Sequence, residues 1–497
     1  MAEERPFELE AKPPLGLNKV SFPRVFWAQT SLTAQCCECF EMLRSSFALH
    51  KGVDPAPYEN ANHAPTWPRR TAQRQHDDRT AGYSVVLQRT MSKHLTNPWL
   101  APERLSVMVL PITGLAAAVA LLPLGASNYD MMKFFVPWMN TVQDRGLASL
   151  SGDFAGYPPP FIYLMYVASG LVPWVGAVVA LKLINLPFIA ILSRAIYHIV
   201  LIASQSRRRA ATAAALLWIA PTPLVNAFAW GQFDCVYAAF LALFVLFAIK
   251  RAPIAAASMF GVSLAFKPQA IFLLPLLLYL ILAKHVRVRH LVFVPMMYLL
   301  MMVPAAIAGC RWLDLLNSVY IAPLEAFSVL AVNAPNPWKI VGALQLVDYR
   351  TGLFVGIAVA GLAGLVISVG ALRLEPNART VVLVAALSGA LMPYLLPKMH
   401  DRYFFVADIM TFTLAFVIPR LWVTAPLFQV GSLLSYLPYF DLGVHGPLYA
   451  ILPVTFGVSI LALAYVSAQV ASSVRLGDVV HGFGGLEAVE RPVGSVT

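Results

Sequence analysis

The chain has 497 residues, of which 59% are hydrophobic and only 12% carry a charge, and its mean hydropathy is +0.68. Soluble domains carry about 25% charged residues, so this composition excludes an ordinary soluble protein and indicates a polytopic membrane protein. The formal net charge of +11 lies in short basic clusters between apolar segments, a pattern that indicates membrane topology and argues against nucleic-acid binding.

The N-terminal part of the chain, residues 1–100, is rich in proline and polar residues and has no sustained apolar period. Such a segment cannot bury enough apolar surface to fold alone, so we predict a disordered cytoplasmic tail. Cys36, Cys37 and Cys39 lie in this tail without a second ligand pair at zinc-finger spacing, so no metal site is expected. A second, short tail is predicted over residues 473–497.

Residues 101–472 alternate between apolar spans and short polar breaks, which predicts an all-α, polytopic membrane bundle. With a span length of about 20 residues, the pattern predicts about twelve transmembrane helices. The predicted helices lie near residues 104–124, 175–203, 211–226, 235–249, 253–266, 270–284, 291–309, 351–372, 380–396, 404–419, 423–438 and 447–470.

The basic breaks at residues 204–209, 250–251, 284–290 and 373–379 fall on one side of this arrangement. The positive-inside rule makes that side cytoplasmic, so the loops on the other side face outward. The longest outer loop, residues 125–174, contains the apolar stretches "MMKFFVPWMNTV" and "YPPPFIYLMYVASGLV". Both are predicted to be helices in the membrane interface, and an extra membrane hairpin is the alternative.

Two aspartates in this first outer loop are candidates for acid–base chemistry. Asp130 lies in "SNYDMMKFF", and Asp153 precedes "GYPPPF", which contains Tyr157. A carboxylate in a partly dry interface is more basic than in water, which suits it to take a proton from a hydroxyl group. The alternative is that these aspartates only cap loops.

Two more motifs place charge at membrane depth. "WGQFDCVYAAF" contains Trp230, Gln232 and Asp234, and a carboxylate there costs about 2.5 to 3.5 kcal/mol on insertion scales. It therefore needs a function or a role as a helix N-cap. "AFKPQAIF" places Lys267 at a proline-broken turn, and such breaks survive where the backbone lines a cavity. A lysine that snorkels to the surface is the alternative.

A fourth outer motif, "LPKMHDRYFF", gathers Lys398, His400, Asp401, Arg402 and Tyr403 in one turn. Arginine can bind two phosphate oxygens at once, and lysine and histidine can add charge, so this turn suits an anionic group. A surface cluster of salt bridges is the alternative. No P-loop, dinucleotide-binding glycine pattern or nucleophile elbow is present in the sequence.

With these four motifs in this order, the sequence resembles the GT-C type of integral-membrane glycosyltransferases. It is closest to mannosyltransferases related to the second GPI mannosyltransferase, and it is similar to the dolichyl-phosphate-glucose glucosyltransferases. The resembling residues are the Asp130 loop with "GYPPPF", "WGQFDCVYAAF", "GVSLAFKPQAIFLLPLLL" and "KMHDRYF". This chain has His-Asp-Arg where the glucosyltransferases carry His-Glu-Lys.

The resemblance implies a sugar donor carried on a polyprenyl phosphate, a glycan or lipid-linked acceptor, inversion at the sugar, and no nucleotide or other cofactor. It makes Asp130 the catalytic base, and it assigns Lys267, His400 and Arg402 to the donor phosphate. The site is expected on the non-cytoplasmic face of the bilayer. The other candidates are expected to contact the acceptor or shape the pocket: Asp153, Tyr157, Trp230, Gln232, Asp234, Lys398, Asp401 and Tyr403.

A non-enzyme alternative is a lipid-linked sugar flippase or a secondary transporter, which would also place charges at membrane depth. Transporters often contain two similar halves with broken helices at corresponding positions. This sequence has no convincing internal repeat, and its polar motifs concentrate on one face. An inactive scaffold would not need Asp130 and Arg402 together.

Overall fold

A computed structural model describes residues 102–125, 128–321, 328–440, 455, 457–459 and 461–473, and these residues are mostly helical, as predicted. The predicted N-terminal tail and all but the first residue of the predicted C-terminal tail lie outside the described residues. Among the described residues, five helical segments are long and apolar enough to cross a membrane, whereas the number of about twelve spans stays a prediction. The five are Ala177–Ser204, Arg207–Trp230, Val288–Ile307, Tyr349–Arg373 and Ala378–Leu395.

The α-helices begin and end close to the predicted breaks. In chain order they are α1 Pro102–Leu121, α2 Val136–Arg145, α3 Pro159–Ser169, α4 Val172–Val175, α5 Ala177–Leu183, α6 Asn185–Ser204, α7 Arg207–Leu217, α8 Pro221–Leu224, α9 Asp234–Ile249, α10 Pro253–Phe266, α11 Leu274–Leu282, α12 Phe293–Ile307, α13 Trp312–Leu316, α14 Pro337–Ala343, α15 Tyr349–Gly370, α16 Ala378–Leu395, α17 Phe405–Val417 and α18 Thr424–Tyr436. Residues 461–473 are also helical.

Shorter segments of tighter or wider helix join or extend these helices. The 3-10 segments are Gly146–Ser151, Pro268–Leu273, Val288–Val292, Ala371–Arg373, Asp401–Phe404, Pro419–Leu421 and Leu437–Tyr439, and the π-helical segments are Met131–Phe135, Val225–Trp230 and Asn317–Ile321. The helix predicted over residues 211–226 is therefore interrupted before Pro221 and runs on to Trp230. Proline has no backbone N–H to continue the preceding helix, but it suits the first position of the next.

Polar side chains at breaks in the apolar pattern cap the starts of two helices. The side chain of Ser206 accepts the N–H of Arg209 at the start of α7, and that of Asp348 accepts the N–H of Thr351 at the start of α15. Each bond satisfies one of the N–H groups that a helix leaves free at its first turn. These caps explain why the sequence breaks predict the helix starts well.

The centre of the bundle is α9, whose residues are almost all buried. It packs against α6 and α10 and also contacts α16 and α17. Its sequence is apolar on every side, which suits either the interior of a bundle or contact with lipid, and its burial assigns it to the interior. The buried Asp234 at its first position therefore lies at the core of the protein.

The first loop contains the two predicted helices, seen as Met131–Arg145 and α3. Their position in a membrane interface stays a prediction. A second irregular region is a parallel pair of two-residue strands, β1 Ala331–Val332 and β2 Met399–His400. This pair fastens the segment before α14 to the turn between α16 and α17, the turn that contains the His-Asp-Arg motif.

Candidate functional site

The Asp130 carboxylate joins three of the predicted motifs. Its Oδ2 accepts a hydrogen bond of 2.8 Å from Nε2 of Gln232 and one of 3.0 Å from Nη1 of Arg402. The side chains of Asp130 and Arg402 are 17% and 14% exposed, so the ion pair is sheltered but reachable. The structure thus brings together residues separated by 102 and 272 positions in the chain.

A second ion pair, between Asp234 and Lys267, lies deeper in the same region. Oδ1 of Asp234 contacts the ammonium of Lys267, and Oδ2 accepts a 2.9 Å hydrogen bond from Nδ2 of Asn226. Asp234 is completely buried and Phe233 takes the N-cap position of α9, so the predicted alternative of an N-cap is not what its carboxylate does. A buried carboxylate needs such a cation and hydrogen bond to offset its desolvation.

Lys267 is buried, which contradicts the alternative of a lysine that snorkels to the surface. Its ammonium lies 5.3 to 5.9 Å from the ring centres of Tyr157, Tyr237 and Tyr403. Such cation–π contacts stabilise a desolvated charge. Because Asp234 already pairs with this ammonium, Arg402, whose Nε has no hydrogen-bond partner, is the better placed of the two for direct contact with a ligand.

The Arg402 side chain stands between the Asp130 carboxylate and an aromatic group. Its guanidinium carbon lies 5.8 Å from the Trp230 ring, which stacks on Tyr439 at 4.3 Å between ring centres. The Nε atom of Arg402 is buried and has no hydrogen-bond partner. The guanidinium therefore has donor capacity beyond its bond to Asp130.

Asp401 and His400 differ from Arg402 in their charge state. Oδ1 of Asp401 accepts the N–H of Arg402 at 2.7 Å, and burial raises the pKa of Asp401 to about 7 although the Arg402 charge lowers it. Burial, with three neighbouring cations, lowers the pKa of His400 to about 3, so its imidazole is neutral at physiological pH. His400 can therefore donate a hydrogen bond but does not add the charge expected from the sequence. The cations are Arg402, Lys267 and Lys398.

Lys398 precedes and Tyr403 follows the His-Asp-Arg motif in the chain, and their side chains make different contacts. The ammonium of Lys398 donates a 2.7 Å hydrogen bond to the hydroxyl of Tyr349, at the start of α15. Tyr403 points towards the ion pairs, since its ring contacts the ammonium of Lys267. Tyr403 thus belongs to the site, whereas the bond made by Lys398 connects the turn to a neighbouring helix.

Asp153 and Tyr157, the two other candidates from the first loop, differ in whether they contact the site. Asp153 accepts a hydrogen bond from Ser151 and pairs with Arg145 at 3.6 Å and Arg311 at 4.0 Å, apart from the Asp130 and Asp234 pairs. Tyr157 does join the site, since its ring contacts Lys267 and its hydroxyl is buried without a partner. Burial raises the pKa of Tyr157 to about 12, against the opposing influence of Arg402.

Several buried polar atoms around the two ion pairs have no hydrogen-bond partner. They include the donors Tyr157 Oη, Trp230 Nε1, Tyr237 Oη and Arg402 Nε and the acceptors Asn226 Oδ1 and Gln232 Oε1. Buried polar groups in proteins are rarely left unpaired, so each exception calls for an explanation, such as a catalytic role or a bound ligand or water. A mixed set of donors and acceptors beside a carboxylate suits a ligand with hydroxyl groups.

Three side chains that the sequence did not single out hold the Trp230 region in place. Nδ2 of Asn128 donates to the carbonyl of Trp230 at 2.8 Å, and Nδ2 of Asn185 donates to the carbonyl of Gln232 at 2.8 Å. Lys182 is fully buried and donates to three carbonyl oxygens. A lone lysine in the apolar run "ALKLINL" is the only signal that the sequence offered for it.

Two further unpredicted residues hold the His-Asp-Arg turn from the side of β1. Nδ2 of Asn336 donates to the carbonyls of Pro393 and Leu396, each at 3.2 Å, and Nε1 of Trp338 donates to that of Leu395 at 2.6 Å. These carbonyls belong to the last turn of α16 and the residue after it, where a helix leaves its acceptors free. Asn336 and Trp338 lie in the stretch "NAPNPWK", which matches no motif with a known chemical function, so the sequence did not reveal this role.

Within the part of the chain that the structure describes, no group of three or more His, Cys, Asp and Glu side chains could hold a metal ion. A cavity of about 360 Å³ is lined by residues 282–284 and 372–376 and includes none of the predicted site residues. No protein-family model matches the chain, and no curated protein matches it. A functional assignment therefore depends on the Asp130 site and on the resemblance of its motifs.

Proposed function

We propose that the protein is a membrane glycosyltransferase that moves a hexose, mannose or a similar sugar, from a polyprenyl-phosphate donor to a lipid-linked or cell-envelope glycan. The observation that supports this most directly is the contact between Asp130, Gln232 and Arg402. In this contact Asp130 can act as the base for an acceptor hydroxyl group, and Arg402 can bind the donor phosphate. The proposed transfer requires both functions.

In the proposed reaction, Asp130 takes the proton of the acceptor hydroxyl as the hydroxyl oxygen attacks C1 of the donor sugar. The bond between C1 and the phosphate oxygen breaks, and its electron pair leaves with the polyprenyl phosphate. Attack opposite the leaving group inverts the configuration at C1. Both hydrogen bonds to Asp130 fall on Oδ2, so they hold the carboxylate in orientation while Oδ1 receives the proton.

The departing phosphate gains negative charge, which fixed positive charge stabilises in a sheltered site. Arg402 is proposed to bind it, because its Nε is buried without a partner and its guanidinium is partly exposed. Lys267, which forms an ion pair with Asp234, is proposed to add positive charge near the phosphate. Neutral His400 is proposed to donate a hydrogen bond to it. Such an arrangement supports transfer without a metal or nucleotide cofactor.

The proposed setting is a multi-pass membrane protein with its site on the non-cytoplasmic side. The long apolar helices support the membrane setting, and the basic breaks at the ends of α6, α11 and α15 support the orientation. The donor's polyprenyl tail would then remain in the bilayer while its phosphate reaches Arg402. Partners other than the donor, the acceptor and the lipid bilayer are not required.

The proposal is tested by incubating the purified full-length protein in lipid nanodiscs with a panel of polyprenyl-phosphate hexoses and candidate acceptors. Transfer should be seen with at least one donor, and Arg402→Ala should lower donor affinity, turnover or both. Absence of transfer with every donor, together with movement of a lipid-linked sugar across a proteoliposome bilayer, would favour the flippase or transporter alternative.

A further inference from the structure

The buried ammonium of Lys182 lies against the two chain segments that lead to Asp130 and Gln232, and it forms hydrogen bonds with neither side chain. Its Nζ donates to the carbonyls of Leu122 at 2.9 Å, Ala229 at 3.0 Å and Leu124. Lysine has three N–H donors, so these three carbonyls use its full capacity. Among the described residues, the hydrogen bonds of this ammonium go to backbone oxygens and not to a carboxylate.

Backbone carbonyls can hold this charge because of where they lie. Leu122 and Leu124 follow the last residue of α1, and Ala229 lies at the end of the π-helical segment Val225–Trp230. The ends of helices leave carbonyls unpaired and carry partial negative charge, which a lysine stabilises. Lys182 thus binds two helix ends to each other.

These two chain segments continue side by side to the catalytic carboxylate. We call residues 122–125 and 128–131 the α1 exit, and residues 227–232 the tryptophan turn. Beyond Lys182, Asn128 of the α1 exit donates to the carbonyl of Trp230, and Gln232 of the tryptophan turn donates to Asp130. We call the hydrogen bonds made by Lys182, Asn128 and Gln232 the three ties. They follow one another in the same order along both segments, and the last one orients Asp130.

We propose that Lys182 is a positioning residue that sets the orientation of the Asp130 carboxylate through these successive ties. This inference rests on the proposed role of Asp130 as the base. Loss of the ammonium leaves three buried carbonyls without a donor, and they can regain hydrogen bonds only if the α1 exit and the tryptophan turn separate. Separation breaks the bond from Gln232 and leaves Arg402 as the remaining partner of the carboxylate, which can then turn about that bond.

The test measures the reactivity of Asp130 with a water-soluble carbodiimide and glycine ethyl ester, mapped by mass spectrometry on the full-length protein in nanodiscs without substrate. In Lys182→Met, labelling of Asp130 should rise by roughly two- to tenfold, the worth of one hydrogen bond. Labelling of Asp153 should not change, because separate arginines hold it. A parallel rise at both aspartates would mean general loosening and would overturn the proposal.

A double-mutant cycle with Gln232→Ala distinguishes positioning from a structural role. If Lys182 acts through the last tie, Lys182→Met should add little to the labelling of Asp130 once Gln232 is gone. Independent, additive increases would contradict the proposal. Ser368→Ala is the matched control, since it also removes a buried donor to backbone carbonyls, those of Pro275 and Gly364, and should leave Asp130 labelling unchanged.

If Lys182→Met does not accumulate as a folded protein, Asn128→Ala removes the middle tie and decides the question by the same labelling. Unchanged reactivity of Asp130 in that variant would refute the proposal. Where transfer is observed, Lys182→Met should lower kcat with little change in the KM for the donor. The labelling needs no substrate, so it gives an answer even if the proposed transfer reaction fails.

Discussion

Two aspartates of one loop show how much a residue's chemistry depends on its neighbours. Asp130 and Asp153 precede apolar stretches of similar character, and the sequence marked both as candidates. In the structure Asp130 meets Gln232 and Arg402, whereas Asp153 is held by Arg145 and Arg311. The sequence could not separate them, because their partners lie up to 272 positions away. The resemblance to a known family did make this choice, and it remains a prediction until activity is measured.

This difference predicts opposite outcomes for two matched substitutions. Asp130→Asn keeps the size of the side chain but cannot take a proton, so turnover should fall by about 10²- to 10⁴-fold with donor affinity near that of the wild type. Asp153→Asn should keep turnover within a small factor of the wild type. Initial rates and donor titrations on both variants provide the check. A large loss of turnover in Asp153→Asn, with normal turnover in Asp130→Asn, would assign the role of base to Asp153.

Asp401 predicts a pH dependence of stability. Its pKa is raised from 3.8 to about 7 by burial, so the folded protein keeps a proton that the unfolded chain releases. Its contribution to the free energy of unfolding should therefore fall as pH rises from about 4 to about 7 and then level off. Asp401→Asn cannot ionise and should flatten this part of the profile. Melting temperatures in nanodiscs between pH 4 and 8, compared with those of Asp153→Asn, would measure the difference.

The helices show which elements the sequence predicts and which it does not. Starts such as those of α7 and α15 follow from caps that can be read locally, and α9 and α10 have nearly the predicted bounds. Neither π-helical segment, Met131–Phe135 or Val225–Trp230, was predicted, and the second could not be foreseen because its carbonyls accept hydrogen bonds from Asn128, Lys182 and Asn185, which lie 42 to 102 positions away. Segments of this kind often occur at functional sites, and these two lead to and from Asp130 and Gln232.

Gly231 is the point at which the tryptophan turn depends most on a small residue. Its φ is +84°, and an added Cβ would lie 2.4 Å from Cε of Met131 and 3.2 Å from Cε of Lys182. Gly231→Ala should lower the free energy of unfolding by about 1–3 kcal/mol and reduce turnover, since both neighbours would have to move. Gly146→Ala is a suitable control, because its φ is +55° but its Cβ would meet open space. An equal loss in both variants would attribute the effect to backbone strain alone.

At the scale of the whole molecule, apolar side chains cover much of the surface. On α15 the buried positions include Gly356, Ala360 and Gly364, while large residues such as Phe354 and Leu362 point outward. Small residues facing the bundle allow close helix packing, and large apolar residues facing outward suit contact with lipid. Composition alone predicted this membrane character, but it could not say which face of each helix turns outward.

The outward face of α12 provides a test of the lipid setting. Leu299 on this helix is 64% exposed, as is Leu344 at the end of α14. If α12 contacts lipid, Leu299→Lys should cost about 2.5 to 3.5 kcal/mol on insertion and lower the yield of membrane-inserted protein. Leu344→Lys, equally exposed but outside the long apolar helices, should be tolerated. Similar yields for the two variants would argue against a lipid-facing α12.

The short parallel ladder between β1 and β2 has a consequence for how the molecule opens. Leu330 accepts the N–H of Lys398, and Asn336 and Trp338 bond to carbonyls near the end of α16, so both sides of the ladder are tied at several points. Segments joined in this way exchange their amide hydrogens as one cooperative unit. Opening of the backbone at the His-Asp-Arg turn should therefore carry the segment before α14 with it, and the amides of the two segments should exchange at similar rates.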